Sequence, residues 1–127
     1  AAVLQRAIDL QEPVAPTEEL VRDLKEAGYR LYVLSNMSRE FIDFLRRFPV
    51  YGLFDGEVVS CEERTVKPEP RIYEILLDRY GLLPSETLFI DDRPANIDTA
   101  RQLGIGGFLF DAHDPASSCA TLRQMLL

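Results

Sequence analysis

Two adjacent carboxylates, Asp91 and Asp92, end the apolar run Leu88 to Ile90 and precede Arg93-Pro94. A hard divalent cation such as Mg²⁺ takes one or two carboxylates from a protein and fills its remaining positions with water and phosphate oxygens. Three further residues have suitable chemistry. Ser35 and Asn36 close a second apolar run, Leu31 to Leu34, and Lys67 lies in the polar stretch Cys61 to Glu69. A hydroxyl and backbone amides can hold phosphate oxygens, and an ammonium can offset charge that develops in a transition state. Each residue also has a plainer reading. Asp91 and Asp92 suit a helix cap, Ser35 and Asn36 suit a turn, and Lys67 suits a solvated surface. His113 reads as a surface loop residue with no catalytic part. Their value lies in whether one fold brings them together.

The elements that must do so can be read from spacing. Residues 1–11 are compatible with a helix, because Val3, Leu4, Ala7 and Ile8 share a face. Pro13 and Pro16 end it. Thr17 suits the cap of the next helix, with Glu18 and Glu19 in its first turn. Its buried stripe is Leu20, Val21, Leu24 and Ala27, and Gly28 is its stop. Leu31 to Leu34 is almost wholly apolar, as in a strand covered on both faces. Ser38 can cap a helix carrying Phe41, Phe44, Leu45 and Phe48, and Pro49 closes it. Val58-Val59 is a short strand.

Pro70 opens a helix with Ile72, Tyr73, Leu76, Leu77 and Tyr80, and Gly81 ends it. Leu88 to Ile90 is a strand, followed by a helix from Pro94 to Leu103. Gly107 to Phe110 is the last strand, and Asp114-Pro115 opens a terminal helix. Strands and helices alternate, which predicts a parallel sheet with helices on both faces. In such a sheet Ser35, Lys67, Asp91 and Asp92 all reach the carboxyl edge, where open α/β sheets place their ligands.

The three segments Tyr32-Val33-Leu34-Ser35-Asn36, Val66-Lys67-Pro68-Glu69-Pro70-Arg71-Ile72-Tyr73 and Phe89-Ile90-Asp91-Asp92-Arg93-Pro94-Ala95-Asn96-Ile97 resemble motifs two, three and four of the haloacid dehalogenase-like hydrolases. The nearest branch holds sugar-phosphate phosphatases and the N-terminal phosphatase domain of soluble epoxide hydrolase. The resemblance covers roughly Pro16 to Phe110. It implies a Rossmann-like three-layer α/β/α sandwich and Mg²⁺-dependent hydrolysis of a small phosphorylated metabolite. It implies that Ser35 binds the transferring phosphoryl group with help from the backbone of Asn36. Lys67 pairs with nucleophile and phosphate, and Asp92 ligates Mg²⁺. Asp91 acts beside Asp92 through water, and Asn96 organises the loop.

The family's motif one, an Asp-x-Asp on the first strand, has no counterpart. Asp9 sits in a helical pattern and Asp23 lies in mid-helix. Residues 1–15 then read as the last helix of a cap and its linker, and 16–127 as a partial hydrolase core. Such a chain resembles the C-terminal part of a phosphatase. A missing N-terminal segment or a strand-donating partner is expected to fill the gap between the strands ending at Leu34 and Ile90. Those strands are expected about 10 Å apart, not the about 4.8 Å of direct neighbours. The alternative is a non-catalytic binding module on the same scaffold. The order argues against a phospho-receiver domain, since its acid pair comes first and its lysine last.

Composition narrows the field. The chain has 127 residues and a net charge of −7, which argues against a general nucleic-acid surface. Its apolar runs are too short to span a bilayer. No signal peptide is expected. Cys61 and Cys119 have no metal-ligand spacing and read as reduced thiols of a cytoplasmic protein.

Overall fold

The computed structural model describes residues 3–6 and 15–127. Five strands form one parallel sheet: β1 (Val3–Arg6), β2 (Arg30–Ser35), β3 (Gly56–Val59), β4 (Thr87–Asp91) and β5 (Gly106–Leu109). The strand order is β3-β2-β1-β4-β5. The order reverses at β1, which creates the switch point where such sheets bind ligands. Among the described residues six α-helices connect and cover the strands: α1 (Ala15–Glu26), α2 (Arg39–Leu45), α3 (Ser60–Glu63), α4 (Pro70–Tyr80), α5 (Pro94–Gln102) and α6 (Pro115–Leu126). The fold is the expected Rossmann-like α/β domain.

Alternation along the strands divides the core into two faces. Tyr32, Leu34 and Phe89 point to the side packed by Ile72, Tyr73 and Leu76 of α4 and by Ile97 and Ala100 of α5. Leu31 and Ile90 point to the other side, against Leu20, Val21 and Leu24 of α1 and Cys119 and Leu122 of α6. Arg123 of α6 also pairs with Asp23 of α1 at 2.7 Å, so Asp23 holds two helices together, away from the carboxyl edge.

The N-terminal region departs from the expectation. Val3–Arg6 is a strand, not part of a helix over 1–11, and residues 7–14 lie outside the described residues. This strand pairs with β2 through Val3↔Arg30 to Arg6↔Val33 and with β4 through Val3↔Thr87 to Arg6↔Ile90. The strands ending beside Leu34 and Ile90 are therefore separated by one strand, as expected. The occupant is the chain's own Val3-Leu4-Gln5-Arg6, which carries no carboxylate. Two apolar strands with unpaired backbone groups demand a partner, and that demand outweighs the helical spacing of this short segment.

Smaller corrections have local causes. The first long helix starts at Ala15, so Pro16 lies in its first turn and Thr17 is not its cap. Thr17 is buried instead, with its hydroxyl 3.9 Å from Cys119 Sγ. Ser38 does cap α2, accepting from the Phe41 amide at 3.2 Å. The buried residues of α2 are Ile42 and Leu45, while Phe44 is 43% exposed. Phe41, Phe44 and Phe48 pack edge to face, a run that passes from exposed Phe44 to Phe48 against the core, so the aromatic period does not mark a buried face here. The polar stretch from Cys61 begins inside the single turn of α3.

Gly56 opens β3 where Tyr80 crosses it. A Cβ on Gly56 would overlap the Tyr80 ring. That ring cannot withdraw cheaply. Its hydroxyl accepts from the Glu57 amide at 2.9 Å and donates to the Glu57 carbonyl at 3.1 Å, and the ring lies 4.8 Å from Tyr32. Gly56→Ala is expected to destabilise the fold by about 1–3 kcal/mol through overpacking, read as a lower urea midpoint. Gly52→Ala, where nothing lies within 4 Å of the added carbon, is the control and should move the midpoint little.

Candidate active site

Ser35 and Asp91 occupy the last positions of β2 and β4. Both are buried, Ser35 at 0% and Asp91 at 1% exposure. Lys67 reaches the same edge from the turn before α4. Its ammonium donates to Asp91 Oδ2 at 2.8 Å, and neither side chain is exposed at all. Lys67 thus has the opposite fate to an ordinary surface lysine. Burying two charges is affordable only where geometry is good and the remaining polar atoms are satisfied. On the carboxylate side they are: Asn96 Nδ2 donates to Asp91 Oδ2 at 3.0 Å, and the Arg93 amide donates to Asp91 Oδ1 at 3.0 Å. Burial alone would push the Asp91 carboxyl up, but the Lys67 charge and side-chain hydrogen bonds from Lys67, Asp92 and Asn96 hold it below the usual carboxylate range.

Asp91 does not cap α5 in the usual manner, since the N-cap is Arg93 and has no side-chain capping bond. Pro94 supplies the helix start instead. Asn96, one turn into α5, is fixed in its turn by Tyr73 of α4, whose buried hydroxyl donates to the Asn96 carbonyl at 2.8 Å. Burial pushes the Tyr73 hydroxyl far up, with the nearby Asp91 charge adding to the effect, so it stays a donor. Phe89 lies beneath, with Lys67 Nζ 5.7 Å from its ring centre and the Tyr73 ring edge-on at 5.3 Å.

Asn36 continues directly from Ser35 and is turned toward Lys67. Its Oδ1 accepts from the Lys67 amide at 2.8 Å, and its Nδ2 donates to the Lys67 carbonyl at 3.1 Å. Asp92 is exposed and lines an open cavity of about 330 Å³ with Leu109, Phe110, Asp111, Ala112 and His113. His113 is exposed, as a loop residue, but shares this cavity with the second carboxylate.

The structure therefore gathers Ser35, Asn36, Lys67, Asp91 and Asp92 at one sheet edge. Sequence reasoning missed Tyr73 as a support, because its helical spacing marks it as core, and it is both. Phe89 carries no chemical signal in its sequence context. The free thiols Cys61 and Cys119 stand apart from this cluster, on α3 and α6. Among the described residues no group of three or more His, Cys, Asp or Glu is placed to hold a metal ion, and no helix is long and apolar enough to cross a membrane.

An open parallel sheet with a buried ammonium–carboxylate pair beside its switch point defines an α/β protein of the class that binds ligands at the carboxyl edge. The model of the haloacid dehalogenase-like hydrolase family matches residues 2–104, and the chain belongs to that family. It is 30% identical over 127 residues to the sesquiterpene phosphatase astK of Aspergillus oryzae, covering 99% of this chain and 64% of that protein. It is 38% identical over 72 residues to bifunctional epoxide hydrolase 2 of Mus musculus, covering 57% of this chain and 13% of that protein. The chain thus spans less than two thirds of these relatives.

Among solved structures, a HAD family enzyme of Bacteroides thetaiotaomicron in complex with magnesium and inorganic phosphate has a TM-score of 0.69 at 29% identity, over 81% of this chain and 55% of that one. An uncharacterized protein of Corynebacterium glutamicum has a TM-score of 0.77 at 20% identity, over 99% of this chain and 96% of that one, a likeness of fold.

Asp91→Asn should leave the Lys67 ammonium buried without a counter-charge, at a cost of roughly 3–5 kcal/mol. Lys67→Met combined with Asp91→Asn should recover much of that loss, because the uncompensated charge is gone. Urea unfolding of the two single variants and the double variant checks this. A strictly additive cycle would contradict the pairing.

Proposed function

We propose that this chain is the C-terminal part of a Mg²⁺-dependent phosphatase acting on a small phosphorylated metabolite. The reaction passes through an aspartyl-phosphate whose nucleophile this chain does not carry. The observation that carries the reading is the fully buried Lys67–Asp91 pair beside Ser35 at the switch point of the sheet. Such an arrangement serves phosphoryl transfer, which needs positioning and charge neutralisation more than elaborate covalent chemistry. Some relatives carry phosphatase names, while others are named dehalogenases, such as haloacetate dehalogenase H-2 of Moraxella sp.. Besides the sesquiterpene phosphatase, the former include a phosphorylated carbohydrates phosphatase of Thermotoga maritima, 30% identical over 71 residues.

In this reading the Ser35 hydroxyl and the Asn36 amide hold oxygens of the phosphoryl group. The Lys67 ammonium, anchored on Asp91, lies where charge builds as the ester bond breaks. Tyr73, Asn96 and Phe89 keep that ammonium from wandering. The donor set fits a magnesium ion, because two carboxylates at one strand end are what Mg²⁺ takes from a protein. Asp92 would hold it directly and Asp91 through water. Bound there, the ion would neutralise phosphate charge.

A second reading, a non-catalytic module, is favoured by one observation. Val3–Arg6 fills the central position between β2 and β4 with a strand that has no carboxylate.

The 127-residue chain is expected to release no phosphate from a generic aryl phosphate, whereas the protein completed with an Asp-x-Asp strand should do so. In that protein Asp92→Asn should abolish Mg²⁺-dependent turnover. Wild-type rates in the variant would refute the metal assignment, and no turnover in the completed protein would favour the module. Magnesium titration of the chain alone by calorimetry should give a millimolar dissociation constant, about what so sparse a ligand set can hold. Micromolar binding would require ligands other than Asp91 and Asp92.

A further inference from the structure

Lys67 bears the charge on which the proposed reaction depends, yet its backbone belongs to no helix or strand. The turn that carries it is closed internally by Glu69. That carboxylate accepts from the Val66 amide at 2.9 Å and from the Thr65 hydroxyl at 3.3 Å, and the Glu69 amide donates to the Val66 carbonyl at 2.8 Å. None of those bonds reaches the sheet. The Asn36 carboxamide does, taking both polar groups of the Lys67 backbone, N–H at 2.8 Å and C=O at 3.1 Å. One side chain thus does for Lys67 what a neighbouring strand does for a ladder residue.

We propose that Asn36 is a positioning residue whose side chain clamps the Lys67 backbone to the end of β2 and so sets the ammonium against Asp91. This differs from a role in substrate binding, which would use the backbone of Asn36 and leave the side chain aside. The geometry favours the clamp. A carboxamide with both its oxygen and its nitrogen engaged with one residue has little left to offer a phosphate. The spacing also matters. Asn36 lies one residue beyond Ser35, so the strand end that presents the hydroxyl also registers the ammonium. Ser35 and Lys67, 32 positions apart in the chain, are thereby held as one unit.

The test has a kinetic arm, which rests on the phosphatase reading, and an exchange arm, which does not. The exchange arm uses the 127-residue chain itself, and the kinetic arm uses the completed protein. Asn36→Ala should speed amide hydrogen exchange at Lys67 by about tenfold or more, as expected for losing a local bond of this size. Exchange at Ile90 in the central sheet should stay unchanged. Asn36→Asp keeps an acceptor for the Lys67 amide and should protect it better than alanine does. With an aryl phosphate, Asn36→Ala should lower kcat by about tenfold with KM within about a factor of two. The double variant Asn36→Ala/Lys67→Ala should be no slower than Lys67→Ala alone, because Asn36 acts through Lys67. Unchanged exchange at Lys67 in Asn36→Ala would overturn the clamp. So would losses that multiply in the double variant together with a raised KM, which would place the side chain on the substrate. If the completed protein hydrolyses nothing, the phosphatase reading fails and the exchange at Lys67 still decides the clamp.

Discussion

The buried ion pair between Lys67 and Asp91 is the interaction around which the carboxyl edge is built. A lysine and an aspartate with no side-chain exposure would each be costly alone, and together they break even only if nothing is left unsatisfied. Much of the surrounding structure meets that requirement. Asn96 and the Arg93 amide complete the Asp91 carboxylate, Tyr73 fixes Asn96, and Asn36 fixes the segment carrying Lys67. Contributions come from the end of β2, the turn before α4, α4 itself, the end of β4 and the start of α5. A change in any of these is felt at the pair, so the site and the fold cannot be varied independently here.

The sheet imposes a second constraint. Parallel strands with helices on both faces leave no edge free in the middle, and the slot between β2 and β4 has to be filled. Val3–Arg6 fills it. Its residues satisfy backbone geometry without contributing a carboxylate. The scaffold of the site and the nucleophile of the proposed reaction are thus separable. Ser35, Lys67, Asp91 and Asn96 are organised by β2, β4, α4 and α5, whatever sequence the central strand carries.

Much of this was legible from residue order. β2 and β4 show as apolar runs because both their faces are covered. Pro70, Pro94 and Pro115 mark helix starts because their fixed backbone suits the first turn. Gly28, Gly81 and Gly104 mark stops because each takes a positive φ, +95°, +63° and +84°. The site residues were legible because each follows a strand or precedes a helix. What was not legible depends on partners distant in sequence. Val3–Arg6 has helical spacing but is held by two strands from elsewhere in the chain. Thr17 has the chemistry of a cap, but α6 packs over it and draws it inside. The phenyl rings of α2 have the period of a buried face, yet Ile42 and Leu45 reach the core and Phe44 does not. Nothing in the local sequence of Asn36 says that its side chain turns to a residue 31 positions away.

Charge balance links this architecture to the proposed reaction. The positive charge of Lys67 is already matched by Asp91, so the buried pair presents no net charge to an incoming phosphate. Asp92 lies exposed beside it, and the chain as a whole carries −7. A phosphate dianion approaching this edge meets repulsion unless a cation accompanies it. That requirement explains why a second carboxylate would be placed next to a pair that is already complete. In the proposed reaction Asp91 anchors the lysine and would reach the ion only through water, while Asp92 would hold it directly, a division that matches buried Asp91 and exposed Asp92. In water such a division would matter little. At the mouth of a low-dielectric core, where charges interact several times more strongly, the proposed division would separate a site that repels phosphate from one that takes it together with a cation.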